Sequence, residues 1–500
     1  MYRTTPKPRN LFQRHNDQLP FTRQTRFSAL PNFMPNLRNS DELNFCNTVA
    51  YIVNIFGVFP LIGLPSVLVK CGLYTILIMV VICGLQILGA GILGKCWIIA
   101  EKIKPELTSH VQRSAYVSLG DITYGYYFGA VIGFFQNLCI FLSCIPGLLV
   151  AGICLQIFVQ QVSSGTVNIS FCFWLLILCL VMYPLICIDS IRKKRLMIDV
   201  SLTITIIIMI LLFYAVISSN FLTTQTSAVF TTSPSAINIL TVYSVLLFQF
   251  NLHPTLLTIQ SGMRNKAEIG SASFQAFLVS GIITLIFTYL IGYKFGIRLP
   301  RNILELLPSS VILQISLLLI SVQLCLSNIT ASSALFHNFE KYFDILKEER
   351  CKKYLIRLVL LLILFIISEF VPNFDDFILI VGGTITSPLV FIFPPILLIK
   401  LKKMEKRYEN SVIHSQYGSI PLDLNFKYSN EPTEEQQTQC SKIKRYFLNG
   451  GARIQNSSTL LPFMVIFGVI GFIWSTYLNL FEVRIMLLNT TAFCFRLSWF

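Results

Sequence analysis

The stretch Asn54-Ile-Phe-Gly57-Val-Phe-Pro60-Leu-Ile-Gly63-Leu-Pro65-Ser-Val-Leu-Val-Lys-Cys-Gly72 decides how this chain folds. It is apolar enough to enter a bilayer, yet Gly57, Pro60, Gly63 and Pro65 fall within nine residues. Each proline removes a backbone N–H and crowds the carbonyl four residues earlier, and each glycine lowers the cost of leaving the helix. Two readings are open. One is a kinked helix whose freed backbone groups are satisfied by its neighbours. The other is an unwound span, because non-helical backbone at membrane depth is tolerated where it is buried in protein or lines a cavity. An unwound span presents main-chain groups to ions and ligands. A second broken helix at the corresponding place would favour the latter.

Composition sets the class. Of 500 residues, 54% are hydrophobic and only 13% charged, with a mean hydropathy of +0.67. Long apolar runs recur throughout, so an all-α polytopic membrane protein is expected. The formal charge of +15 does not indicate a nucleic-acid partner, because the basic residues sit mainly between apolar runs. Cysteines such as Cys83, Cys139, Cys144, Cys154 and Cys179 lie inside those runs as small hydrophobes. No CxxC pair or Cys/His cluster suggests a metal. The N-terminal stretch lacks an apolar core, so no cleavable signal peptide is expected.

Taking about 20 apolar residues as one span, eleven spans are expected. They lie at roughly 48–69, 73–97, 127–159, 170–189, 197–218, 236–258, 272–296, 309–335, 355–372, 376–399 and 459–480. Residues 1–45 read as a flexible cytosolic tail, 46–400 as the core, 401–458 as a cytosolic loop and 459–500 as the last span with an outer tail. With the N-terminus in the cytosol, the inner segments carry 33 of the 39 Lys and Arg residues. That asymmetry sets the orientation by the positive-inside rule. It places the triplets starting at Asn168 and Asn489 on the outer side, where glycosylation is possible.

The second break is in the sixth span, Phe248-Gln-Phe-Asn-Leu-His253-Pro254. Spans one and six are five apart, and an odd number per repeat inverts the second repeat relative to the first. Repeats at about 46–218 and 236–400 follow, with the eleventh span accessory. The symmetry rests on spans and breaks, since the halves show no residue-level repeat.

Three stretches then carry a resemblance over about residues 45–400. Asn54, Gly63-Leu-Pro65 and Lys70-Cys-Gly72 form the first. Ser118-Leu-Gly120-Asp121, Tyr124 and Phe128-Gly129, at the start of span three, form the second. His253-Pro254, Met263-Arg264 and Gly292-Tyr293-Lys-Phe295-Gly296 form the third. In this order the chain resembles the amino acid/auxin permease family. The chain departs from the family pattern between Asn54 and Pro65, where Val58 and Pro60 stand and Gly57 is displaced by one.

The resemblance implies a leucine-transporter-like arrangement of five plus five spans and one more, with an amino acid as ligand. Asn54 would offer its side-chain oxygen to a cation or to the substrate; the plain alternative is a helix–helix hydrogen bond. The backbone from Gly57 to Gly63 would cradle a carboxylate at a half-helix N-terminus. Phe250 and Asn251 complete the substrate set. His253, an ionisable group inside a span, is a candidate proton carrier, against a neutral imidazole packed in the bundle. Ser327 and Thr330 are candidate sodium ligands with Asn54, against simple small-residue packing. Asp121 reads as a cap or gate contact, and Arg192-Lys-Lys-Arg195 as a topology signal.

The expected function is secondary active transport of small or neutral amino acids, coupled to H⁺ or Na⁺, by alternating access. No other cofactor is called for. No phosphate-binding loop or nucleophile–His–carboxylate set is visible, so no enzyme is expected. A monomer in contact with membrane lipids is expected, in the plasma membrane or a vacuolar or lysosomal membrane. The alternative is a sensor that binds an amino acid without substantial flux and signals through its cytosolic segments. A channel is a poorer reading, because no filter motif or charge ring is evident.

Overall fold

The computed structural model describes residues 43–105, 114–164, 166–167, 169–188, 191–219, 235–295, 304, 310–343, 345, 349–371, 374–417 and 460–489. The tail, most of the 401–458 loop and Asn168 lie outside them, and Asn489 is the last residue of the final helix. Among the described residues the chain is helical, with one isolated parallel bridge between Leu43 and Met263. Backbone groups in lipid must be satisfied within the segment, so apolar runs of this length become helices.

The first span is split into α1 (Phe45–Phe56) and α2 (Phe59–Cys71), bent by 52°. Next come α3 (Tyr74–Ile103), α4 (Ala115–Tyr124), α5 (Tyr126–Val162), α6 (Phe171–Ile186) and α7 (Ile191–Ser218). The sixth span is α8 (Ala236–Gln249) and α9 (His253–Ser261). Then follow α10 (Ile269–Phe295), α11 (Val311–Tyr342), α12 (Arg350–Phe370) and α13 (Phe374–Ile380). Two π-helical segments, Val381–Thr386 and Pro388–Ile392, lead into α14 (Phe393–Tyr417), and α15 (Leu460–Asn489) ends the described chain.

Among the described residues eight helical spans are long and apolar enough to cross a membrane, and the bent α1–α2 pair makes nine. The two other expected spans coincide with α6, which has only 16 residues, and α12, which carries Lys353, Arg357 and Glu369. The chain is thus an all-helical multi-pass membrane protein. At 37 residues α5 outruns a bilayer core, as its long apolar run suggested. α14 continues to Tyr417, into the segment expected to be loop from residue 401.

α11 packs chiefly against α5 and α7, while α3 lies against α14 and α10. α10 also covers α1 and α2. Ser114 caps α4, its hydroxyl accepting from the Val117 N–H at 3.3 Å. Asp121, expected as a cap or gate contact before span three, lies within α4 and packs against Gly129 of α5, whose N-cap is Gly125 without a side-chain cap.

Candidate functional site

Both expected breaks are present. α1 ends at Gly57, whose φ of +58° and ψ of −142° suit glycine alone, and its N–H closes on the Val53 carbonyl. Among the described residues no backbone hydrogen bond reaches the carbonyls of Ile55, Phe56 or Gly57. Pro60 does not lengthen the break. It is the second residue of α2, where its missing N–H has no helical partner to lose. In the sixth span, Phe250, Asn251 and Leu252 leave the helix between α8 and α9, with Pro254 in the first turn of α9.

A cavity of about 230 Å³ lies where the two breaks meet α5 and α11. α1 contributes Asn54, the second break contributes Gln249 and Asn251, and α11 contributes Ser327, Asn328 and Thr330. Among the described residues no Asp, Glu, Lys, Arg or His lines it. On the α2–α8 side, Phe59 and Phe248 meet edge to face with centroids 5.8 Å apart.

The structure thus brings Asn54, Asn251, Ser327 and Thr330 into one cavity. Their oxygens differ in availability. Asn54 Oδ1 accepts from Ser201 Oγ of α7 at 2.9 Å, which is the helix–helix hydrogen bond of the plain reading. The Asn251 amide donates to Cys139 Sγ at 3.1 Å and Ser143 Oγ at 3.5 Å, tethering the second break to α5. Thr330 donates back to the Leu326 carbonyl at 2.8 Å.

The other expected residues are not in the cavity. Gly57 forms the bend itself, and Gly63 faces the Gln249 amide, which fills the space a Cβ there would need. Phe250 is fully buried and packs with Phe56 and Phe277, at centroid distances of 5.2 and 5.8 Å. His253 is fully buried against Gly89 and the Val390 carbonyl.

Two glutamines were assigned no role in the sequence, Gln249 within the quoted second break and Gln323 in the eighth span. Gln249 and Gln323 are 3% and 0% exposed, and neither amide atom of either side chain has a hydrogen-bond partner. Each unmet buried polar group costs about 1–3 kcal/mol. The signal was available, since both interrupt apolar runs, but neither can ionise and so neither stood out.

A buried ion pair was missed as well. Arg357 of α12 donates from Nε (2.9 Å) and Nη2 (2.6 Å) to Glu340 Oε1 of α11, and from Nη1 to the Ile186 carbonyl at 3.1 Å. Arg357 lines a smaller cavity of about 100 Å³, which shares Tyr51, Thr330 and Ser333 with the central one.

A family model described as "Transmembrane amino acid transporter protein" matches residues 45–420. The chain belongs to this transmembrane amino acid transporter family. It is accordingly a member of a carrier family and not of an enzyme family. A curated relative, the putative sodium-coupled neutral amino acid transporter 8 of Xenopus tropicalis, is 30% identical over 172 residues. That match spans 32% of this chain and 38% of the relative. Among solved structures, MhsT in complex with L-phenylalanine aligns with a TM-score of 0.46 and 14% identity, covering 74% of this chain and 97% of that one. A manganese transporter mutant of Eremococcus coleocola aligns with a TM-score of 0.43 and 13% identity, covering 87% and 98%.

Proposed function

We propose that this transmembrane amino acid transporter carries neutral, zwitterionic amino acids through the central cavity by alternating access, coupled to Na⁺ or H⁺. The observation that carries the reading is a cavity between two helix breaks whose lining, among the described residues, holds no Asp, Glu, Lys, Arg or His. A zwitterion needs a donor for its carboxylate and acceptors for its ammonium, and no net countercharge. Free carbonyls at the end of α1 suit the ammonium, and the N-terminus of α2 suits the carboxylate. A cationic or anionic side chain would enter this lining uncompensated.

The name of the Xenopus relative, which pairs sodium with neutral amino acids, supports the same substrate class. The eleven spans, the five-plus-five inverted arrangement and the cytosolic N-terminus belong to this reading. So does operation as a monomer in the plasma membrane or a vacuolar or lysosomal membrane. The sensor reading gains no support from the family or the cavity.

The test is uptake of labelled amino acids into proteoliposomes, with sodium and pH gradients imposed separately. Neutral species are expected to accumulate above equilibrium under one gradient, and cationic and anionic species are not. Folded protein that accumulates no amino acid under either gradient would refute the carrier reading.

A further inference from the structure

Asn251, in the second break, lines the central cavity, and its side-chain oxygen is buried without a hydrogen-bond partner. Its amide nitrogen has two partners, Cys139 Sγ at 3.1 Å and Ser143 Oγ at 3.5 Å. The two ends of a carboxamide have nearly the same shape, so the polarity of the neighbours decides which end turns to them. That polarity can be followed proton by proton. Thr386, in the π-helical segment Val381–Thr386, donates its hydroxyl proton to the Val381 carbonyl at 3.2 Å. The Thr386 oxygen has no second proton and is left to accept, and Cys139 Sγ lies 3.5 Å away. The thiol proton is thereby committed to Thr386, and the sulfur meets Asn251 as an acceptor. Ser143 is fixed in the same way. It donates to the Cys139 carbonyl at 2.7 Å and offers Asn251 only a lone pair. Two acceptors hold the NH2 end of Asn251, and Oδ1 is the end left over.

Resting on the carrier reading above, we propose that Thr386 is a positioning residue: through Cys139 it fixes the Asn251 carboxamide so that Oδ1 is kept as an acceptor for the ammonium of the amino acid. Without the Thr386 hydroxyl, the thiol proton is free to turn to Asn251. Both orientations of the amide then suit the thiol, and the reversed one sets two N–H groups against an ammonium. Each bond in the chain is weak. What selects the orientation is the count of protons, one on each hydroxyl and one on the thiol. Thr386 and Cys139 are fully buried, so water does not compete for them. A Thr hydroxyl in an α-helix back-bonds to the carbonyl four residues earlier. That of Thr386 reaches the fifth, as the wider π-helical turn requires, and such turns recur at functional sites.

The experiment compares the wild type with Thr386→Val, Thr386→Ser, Cys139→Ala, Asn251→Ala and the double variant Thr386→Val/Asn251→Ala. Two quantities are read. One is the infrared S–H stretch of Cys139, isolated by subtracting the spectrum of Cys139→Ala in the same background. The other is the KM and kcat for uptake of labelled L-alanine, L-leucine and L-glutamine into proteoliposomes. The S–H band is expected to shift in Thr386→Val and to hold its place in Thr386→Ser. KM is expected to rise about tenfold in Thr386→Val and in Cys139→Ala, with kcat within about twofold, and to return to the wild-type range in Thr386→Ser. In the Asn251→Ala background, Thr386→Val is expected to add nothing further. An unmoved S–H band in Thr386→Val overturns the proposal. So does a wild-type KM in Thr386→Val or Cys139→Ala, or a rise that recurs in full without Asn251, which marks a packing residue. Cys139→Ala breaks the chain without touching the π-helical segment, so it decides the case if Thr386→Val does not fold. The S–H band needs neither ligand nor flux, so a protein without transport fails the carrier reading separately.

Discussion

At the scale of single residues, the site depends on where a side chain is absent. Gly57 combines a left-handed φ with a Cβ position 3.0 Å from the Gln323 amide. Gly57→Ala therefore meets strain of about 1–3 kcal/mol and a steric conflict with Gln323. Lower thermal stability and loss of most uptake are expected, measured on one preparation of the variant. An alanine variant equal to wild type in both would show that the bend tolerates a side chain. The sequence exposed this position well, because a glycine in an apolar run marks a place where the helix can leave its path. It exposed His253 less well. An imidazole inside a span reads as functional because ionisation there is expensive. The same expense permits a neutral ring packed away from the cavity, and only packing distinguishes the two. Gln249 and Gln323 show the converse. An amide in an apolar run carries no alarm until its partners are counted.

At the scale of elements, the breaks were legible and the tertiary tie between helices was not. A proline- and glycine-bearing segment and, five spans on, a polar segment ending in proline located both unwound stretches. Arg357, by contrast, ends a run of cations from Lys341 onward that read as a signal of cytosolic orientation. Nothing in the run tells which member turns inward to Glu340. In the fold that pair ties the end of α11 to α12, and the Ile186 carbonyl adds the end of α6. Both side chains are less than a tenth exposed. Glu340→Leu leaves a buried guanidinium without its counterion, a loss of about 3–5 kcal/mol. Adding Arg357→Met removes the orphaned charge, so the double variant is expected to recover most of the lost stability. Thermal unfolding of the four proteins in a double-mutant cycle checks this. Additive losses would mean that the two side chains do not act as a pair.

At the scale of the whole molecule, the cavity divides the core into two faces. The broken spans α1–α2 and α8–α9 form one, and α5 with α11 forms the other. Under the alternating access proposed above, opening the cavity to one side requires these faces to part. The Leu43–Met263 bridge lies within the first face. Leu43 donates its N–H to the Gly262 carbonyl at 2.8 Å and accepts from the Arg264 N–H at 3.1 Å, and its side chain lines the cavity. A single backbone bridge has no sequence signature, because any residue except proline can donate to it. If α1 and α9 move together, a covalent link at the bridge does not hinder transport. Leu43→Cys with Met263→Cys, oxidised to a disulfide, is expected to retain uptake relative to the reduced form. Ile259→Cys with Ala334→Cys, joined across the cavity by a bifunctional thiol reagent, is expected to abolish it, because that link ties one face to the other. The parent protein with its native cysteines, treated identically, supplies the baseline. Loss of uptake on oxidation of the first pair, reversed by reduction, would mean that the bridge itself opens in each cycle and that α1 swings away from α9 as a separate gate.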